Sequence, residues 1–180
     1  MRRRGGWEAQ LRAVVYDRYG GPEVLRVTDV PMPSPGAGQV RVRVAATSVN
    51  LSDWECPRGS PLYARLGGLR SPACRTLGSD IAGWVDAVGE GVTRFRPGDE
   101  VYGDNLALKG GFAEYTVAAA SVLTPKPAEL TFAQASTIPQ AGAIALHGTD
   151  APRPGAGCWS TGAAARARSP YSSPSDSAPT

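Results

Sequence analysis

Lysine is almost missing from this chain of 180 residues, in which 17 of the 19 basic side chains are arginine. Such a bias follows a GC-rich coding sequence more readily than a surface selected for its charge. The net charge of +3 also sits at the ends: residues 13–150 hold 12 basic against 14 acidic side chains, while residues 1–12 and 151–180 are basic. A slightly acidic body excludes a nucleic-acid groove there, so no nucleic-acid partner is expected. Histidine occurs once, as His147, and Cys56, Cys74 and Cys158 form no CxxC pair. These scarcities remove support for a disulfide framework and for a cysteine zinc site. No apolar run reaches the roughly 18 residues of a membrane span, and no signal-peptide core follows Arg2-Arg3-Arg4. The expectation is a soluble, cytoplasmic chain with reduced thiols and no membrane partner.

What the chain does have is short β-type runs punctuated by glycine and proline. Ala13–Tyr16 and Val24–Val30 flank the turn Tyr19-Gly20-Gly21-Pro22 and predict a hairpin. Gln39–Ala46 alternates with period two, which predicts a strand that buries Val40, Val42 and Val44 and leaves Arg41 and Arg43 in water. Residues 51–78 show no sustained period, and a loop of that length in a compact domain marks the rim of a site. Ile81–Val88, Glu100–Gly103 and Gly111–Val117 supply further strands, with a turn at Pro97-Gly98-Asp99. Repeated short strands with such corners predict a β-barrel or sandwich. Near residue 130 the texture changes: Thr131 is a candidate N-cap, and Pro139 falls in the first turn of a helical stretch ending near His147. The fold class expected is mainly β with a few helices (α+β). Residues 151–180 contain no Leu, Ile, Val, Met or Phe. That segment cannot offset its ordering entropy by burial and is expected to be disordered.

Five motifs in order carry a family resemblance. They are Gly20-Gly21-Pro22-Glu23-Val24-Leu25, Ser48-Val49-Asn50-Leu51-Ser52-Asp53, Leu77-Gly78-Ser79-Asp80-Ile81-Ala82-Gly83, Val88-Gly89-Glu90-Gly91-Val92 with Phe95–Gly103, and Gly111-Phe112-Ala113-Glu114-Tyr115. Over residues 13–147 the chain resembles the medium-chain dehydrogenase/reductase superfamily, and within it the zinc-independent quinone-oxidoreductase branch. The resemblance implies a GroES-like catalytic barrel, followed in intact members by a Rossmann domain that binds NADPH or NADH. It also implies hydride transfer to a quinone, enone or carbonyl substrate. Zinc-dependent relatives carry a cysteine ligand and a Gly-His-Glu motif where this chain has Asn50 to Asp53 and Gly78-Ser79-Asp80. No zinc is therefore expected.

Without zinc the substrate carbonyl must be polarised by hydrogen bonds and held near the hydride donor. The resemblance puts the Asn50/Asp53 motif beside the nicotinamide and makes Asn50, Asp53 and Tyr63 the candidate catalytic residues. Asn50 and Gln140 are the candidates for cofactor contact. Plainer roles stand beside these: Asn50 and Asp53 as a helix cap or Asx turn, Tyr63 as a packing aromatic, Gln140 as a capping or solvated side chain, His147 as structural.

The pattern breaks after Gly148. The family would continue into a valine-rich strand and a Gly-x-Gly-x-x-Gly turn opening a helix. This chain has instead Gly157-Cys158-Trp159-Ser160 and an Ala/Pro/Ser/Gly-rich run. Shifting the codons of residues 157–180 by one position can regenerate a Val-Leu-Val strand, the glycine turn and an amphipathic helix, so a frameshift near residues 150–157 is the expectation. The domains expected are a disordered arm at 1–12, a GroES-like domain at 13–130, a helical lead-in to the missing Rossmann domain at 131–150, and a frameshifted tail at 151–180. Such a chain is expected to have little hydride-transfer activity and to expose apolar surface near Phe132, Ile138 and Ile144, which leaves homo-oligomer formation open. The competing expectation is a stand-alone GroES-like binding or co-chaperonin-type module, which a ring-sized native mass would reveal.

Overall fold

The computed structural model describes residues 9–66 and 68–149. The expectations for the N-terminal arm over 1–8 and for the tail over 151–180 lie outside the described residues. The chain divides into two compact units, Met1–Ala141 and Gly142–Thr180. All described strands belong to the first.

Strands β1 (Gln10–Val15) and β2 (Arg26–Pro31) form a two-stranded antiparallel sheet, with Val14 opposite Val27. The expected hairpin is there, but β1 starts before residue 13: Leu11 is buried in a cluster with Ala13 and Val15. Three apolar residues at period two, starting inside an arginine-rich arm, are too few to read from sequence.

The second sheet is open, with β3 (Gln39–Thr47), β4 (Asp80–Val88), β5 (Glu100–Asp104), β6 (Tyr115–Ala119) and β7 (Leu123–Pro125) in the order β6-β3-β4-β5-β7. The two sheets do not close into one barrel. Val40 and Val42 are completely buried and join Ile81, Val85, Phe95, Val101, Ala118 and Leu123 in the main core. Each of the valine, isoleucine, leucine and phenylalanine side chains among them contributes roughly 1.5–3 kcal/mol of burial. The period-two expectation for β3 fails at its far end, where the register with β4 shifts between Val44 and Ala46 and leaves Val44 half-buried. Arg41 is not left in water either. Its guanidinium pairs with Asp86 at 2.6 Å and donates to the Pro33 carbonyl at 3.1 Å.

Among the described residues, three α-helices accompany the strands: α1 (Leu51–Arg58), α2 (Phe132–Ala135) and α3 (Pro139–Thr149). Helix α1 occupies the segment expected to be irregular. Its sequence hides it, because only Asp53 and Pro57 are buried and no apolar stripe marks a face. Thr131 caps α2 as expected, accepting the Gln134 N–H at 3.2 Å, and Pro139 opens α3. Phe132 packs on Trp84 with ring centroids 4.3 Å apart, so it is half-buried, whereas Ile138 and Ile144 are exposed as anticipated.

Candidate functional site

Strand β3 ends where the site begins. The Thr47 hydroxyl donates to the Asp80 carbonyl at 2.6 Å, which holds the exit of β3 against the start of β4. Three residues on, the Asn50 side-chain amide donates to the Ser48 and Ser79 hydroxyls at 3.4 and 3.3 Å. The Ser48 hydroxyl in turn donates to Asp80 Oδ2 at 3.0 Å. Ser79 and Asp80 are wholly buried, while Asn50 is half-exposed at the edge of the network.

Asp53 fastens the same corner from α1. One carboxylate oxygen accepts the Asn50 N–H at 2.9 Å, so Asp53 caps its own helix, and the other accepts the Gly78 N–H at 2.9 Å. The carboxylate is buried and spent on these two donors. The capping role weighed for Asn50 and Asp53 is the one their geometry displays: Asn50 is the N-cap residue of α1, paired with Asp53 in a capping box, and through Asp53 the helix is stapled to the segment before β4.

Tyr63 stands apart. It lies on a single 3₁₀ turn, Leu62–Arg65, is 57% exposed, and donates its hydroxyl to the Glu55 carboxylate at 2.6 Å. That bond holds the phenol in its protonated form and pushes its pKa up. Tyr63 belongs to an exposed apolar stretch with Val49, Leu51, Trp54, Leu62 and Leu66, which flanks Asn50 along the chain. Gln140 enters the network by its backbone, whose N–H reaches Asp80 Oδ1 at 3.2 Å and Oδ2 at 3.4 Å. The His147 side chain lies outside the described residues.

The structure therefore brings Asn50, Asp53 and the Gln140 backbone together and leaves Tyr63 on the rim. It adds Ser48, Gly78, Ser79 and Asp80, which sequence reasoning quoted as motif residues without giving them a task. The signal was present in Gly78-Ser79-Asp80: a glycine followed by two polar residues at the mouth of an apolar strand. Gly78 has φ +88°, and a Cβ there would meet the Phe112 backbone nitrogen at 2.6 Å. Burial pushes the Asp80 carboxyl above the usual carboxylate range, against the pull of Asn50 and Ser48, and nearby Asp104 pushes it the same way as burial.

Among the described residues no group of three or more His, Cys, Asp or Glu side chains comes together as metal ligands would. No described helix is long and apolar enough to cross a membrane.

Known proteins share much of this sequence and fold. Residues 36–128 match the alcohol dehydrogenase GroES-like domain. The chain is 38% identical over 129 residues to the quinone oxidoreductase of Lama guanicoe, covering 71% of this chain and 37% of that protein. It is 37% identical over 139 residues to the chloroplastic quinone-oxidoreductase QR1 of Triphysaria versicolor, covering 75% of this chain and 40% of the relative. The solved quinone oxidoreductase from Coxiella burnetii superposes with a TM-score of 0.70 at 31% identity, over 78% of this chain and 44% of that one. The chain thus spans about two fifths of the length of the curated relatives it matches. Sequence and fold show that it belongs to the alcohol dehydrogenase GroES-like domain family, in the quinone-oxidoreductase-like part of the medium-chain dehydrogenase/reductase superfamily.

Proposed function

We propose that this chain is the substrate-side portion of a zinc-free, NAD(P)H-dependent oxidoreductase that reduces a quinone, enone or carbonyl compound. The observation that carries the reading is the half-exposed Asn50 amide, braced by two serine hydroxyls and flanked in the chain by the exposed apolar residues Val49 and Leu51. An amide so fixed loses little freedom when its carbonyl oxygen meets a donor, which is what orientation of a nicotinamide carboxamide requires. The apolar side chains beside it suit a planar, poorly hydrated substrate.

The nicotinamide cofactor fits this site only at its reacting end. Asn50 would hold that end, and the cofactor would supply the hydride; a Gly-x-Gly-x-x-Gly turn for its pyrophosphate does not occur in the sequence. Zinc fits poorly. Asp53 is engaged by two backbone donors, and the Asn50 amide nitrogen points its hydrogens at serine oxygens rather than offering a lone pair. Asp53 then acts by holding α1 in place, and Tyr63 by presenting its ring at the rim.

The test joins residues 9–149 to the nucleotide-binding portion of a quinone oxidoreductase relative and follows NADPH and NADH oxidation with quinone, enone and aldehyde acceptors. Turnover that survives chelation and falls by about 10²-fold in Asn50→Ala, the scale of losing one oriented polar contact, is the expected result. Loss of turnover on chelation, or full activity in Asn50→Ala, refutes it. The 180-residue chain alone is expected to bind NADPH more weakly than micromolar by nicotinamide fluorescence.

A further inference from the structure

Asp80 carries more connections than the first residue of a strand needs. It is wholly buried, yet its carboxyl accepts the Ser48 hydroxyl at 3.0 Å and the Gln140 N–H at 3.2 Å. Gln140 is the second residue of the eleven-residue helix α3, so the carboxyl lies against the positive end of that helix and takes one of its unpaired donors. The same Ser48 oxygen receives the Asn50 amide. One acidic group therefore joins three elements: the exit of β3, the start of β4 and the first turn of α3.

A second acid shares its environment. The β4–β5 register sets Asp80 directly opposite Asp104, and opposed residues of an antiparallel pair project to the same face. Asp104 Oδ1 is buried without a hydrogen-bond partner. Around Asp80, β5 contributes Asp104, the β3 exit contributes the uncharged Ser48 and Asn50, and α3 contributes the Gln140 amide. The other carboxylate of the corner, Asp53 on α1, is turned to Gly78 two residues upstream.

We propose that Asp80 is a positioning residue: its carboxyl sets Asn50 through Ser48 and clamps the first turn of α3, so that one ionisation moves both. This rests on the proposed function only in treating Asn50 as the residue being positioned. The carboxyl accepts both bonds best when ionised, while burial and Asp104 favour its protonated form. The grip on Ser48 and Gln140 accordingly tightens as pH rises through the titration of Asp80, at some cost in overall stability because the buried charge must then be carried.

The experiment is a pH titration of the ¹⁵N-labelled 180-residue chain by NMR, following the Gln140 backbone amide and the Asn50 side-chain amide, with the Val42 and Val85 amides as controls for the fold. Both reporters are expected to move with one midpoint, above the ordinary aspartate value of about 4. Asp104→Asn should lower that midpoint and Asp80→Asn should abolish it. In Asp80→Ala the Gln140 amide should exchange at least about tenfold faster while Val42 and Val85 are unchanged, a local rather than global opening. Reporters that titrate apart, fail to move in the wild-type chain, or keep their common midpoint in Asp80→Asn overturn the proposal. The wild-type titration and Asp104→Asn decide it even where an Asp80 variant does not fold. None of these readouts needs turnover, so failure of the reductase reading leaves a distinct result.

Discussion

Gly78→Ala tests the link between backbone geometry and site in one methyl group. The added Cβ would lie 2.6 Å from the Phe112 nitrogen and 2.8 Å from the Gly111 Cα and carbonyl carbon, with φ at +88°. These are backbone atoms held by their own hydrogen bonds, Gly111 N–H to the Gly78 carbonyl at 2.9 Å and Phe112 N–H to the Leu77 carbonyl at 3.0 Å, so they cannot swing aside as a side chain would. A left-handed backbone costs an L-residue roughly 1–2 kcal/mol. Overpacking adds roughly 1–3 kcal/mol, giving about 2–5 kcal/mol in all. Gly98→Ala is the internal control: φ there is +97° but nothing lies within 4 Å of its Cβ, so only the torsional cost of roughly 1–2 kcal/mol applies. Urea unfolding followed by tryptophan fluorescence should place Gly78→Ala lower in midpoint at unchanged slope. If Gly98→Ala costs as much as Gly78→Ala, the close approach at Gly78 is not what excludes a side chain, and the argument fails.

Four further outcomes are expected. Asp53→Ala strands the Asn50 and Gly78 N–H groups together and should cost about 2–4 kcal/mol in the same unfolding experiment, whereas Asp53→Asn should recover part of that. Tyr63→Phe removes an exposed bond to Glu55 and should leave the unfolding midpoint unchanged. Arg41→Ala should cost about 1 kcal/mol at low salt and less at 1 M salt, because the Arg41–Asp86 pair is only partly shielded. Re-sequencing the gene across codons 150–180 should reveal the glycine-rich turn in the alternative frame; an early stop or no such pattern there removes the frameshift reading.

What could be read in advance and what could not follow from the same physics. β3 and β4 announce themselves because a strand that buries Val40, Val42, Ile81 and Val85 must spell those residues at strand spacing. The Thr131 cap and the Pro139 start were legible because the chemistry of a helix end is local in sequence. Helix α1 was not, since it is fixed by Asp53 reaching back to Asn50 and across to Gly78, and by Gly59 at φ +59° closing its end, rather than by an apolar face. Asn50 and Asp53 were singled out by motif, yet their division of labour, one half-exposed and one consumed as a brace, exists only in three dimensions. Asp80 is the clearest case. In β4 the run Asp80-Ile81-Ala82-Gly83 is buried on both faces, so alternation gives no sign of which side the acid takes. Its partners lie 32 residues before it, in Ser48, and 60 residues after it, in Gln140. A buried charge is tolerated when distant donors converge on it, and such convergence is a property of the fold that no local pattern encodes. The residues that hold the site together are therefore those a motif scan values least: a substitution at Ser48 should disturb Asn50 directly, and one at Gly78 or Asp80 should disturb it through Asp53 or Ser48.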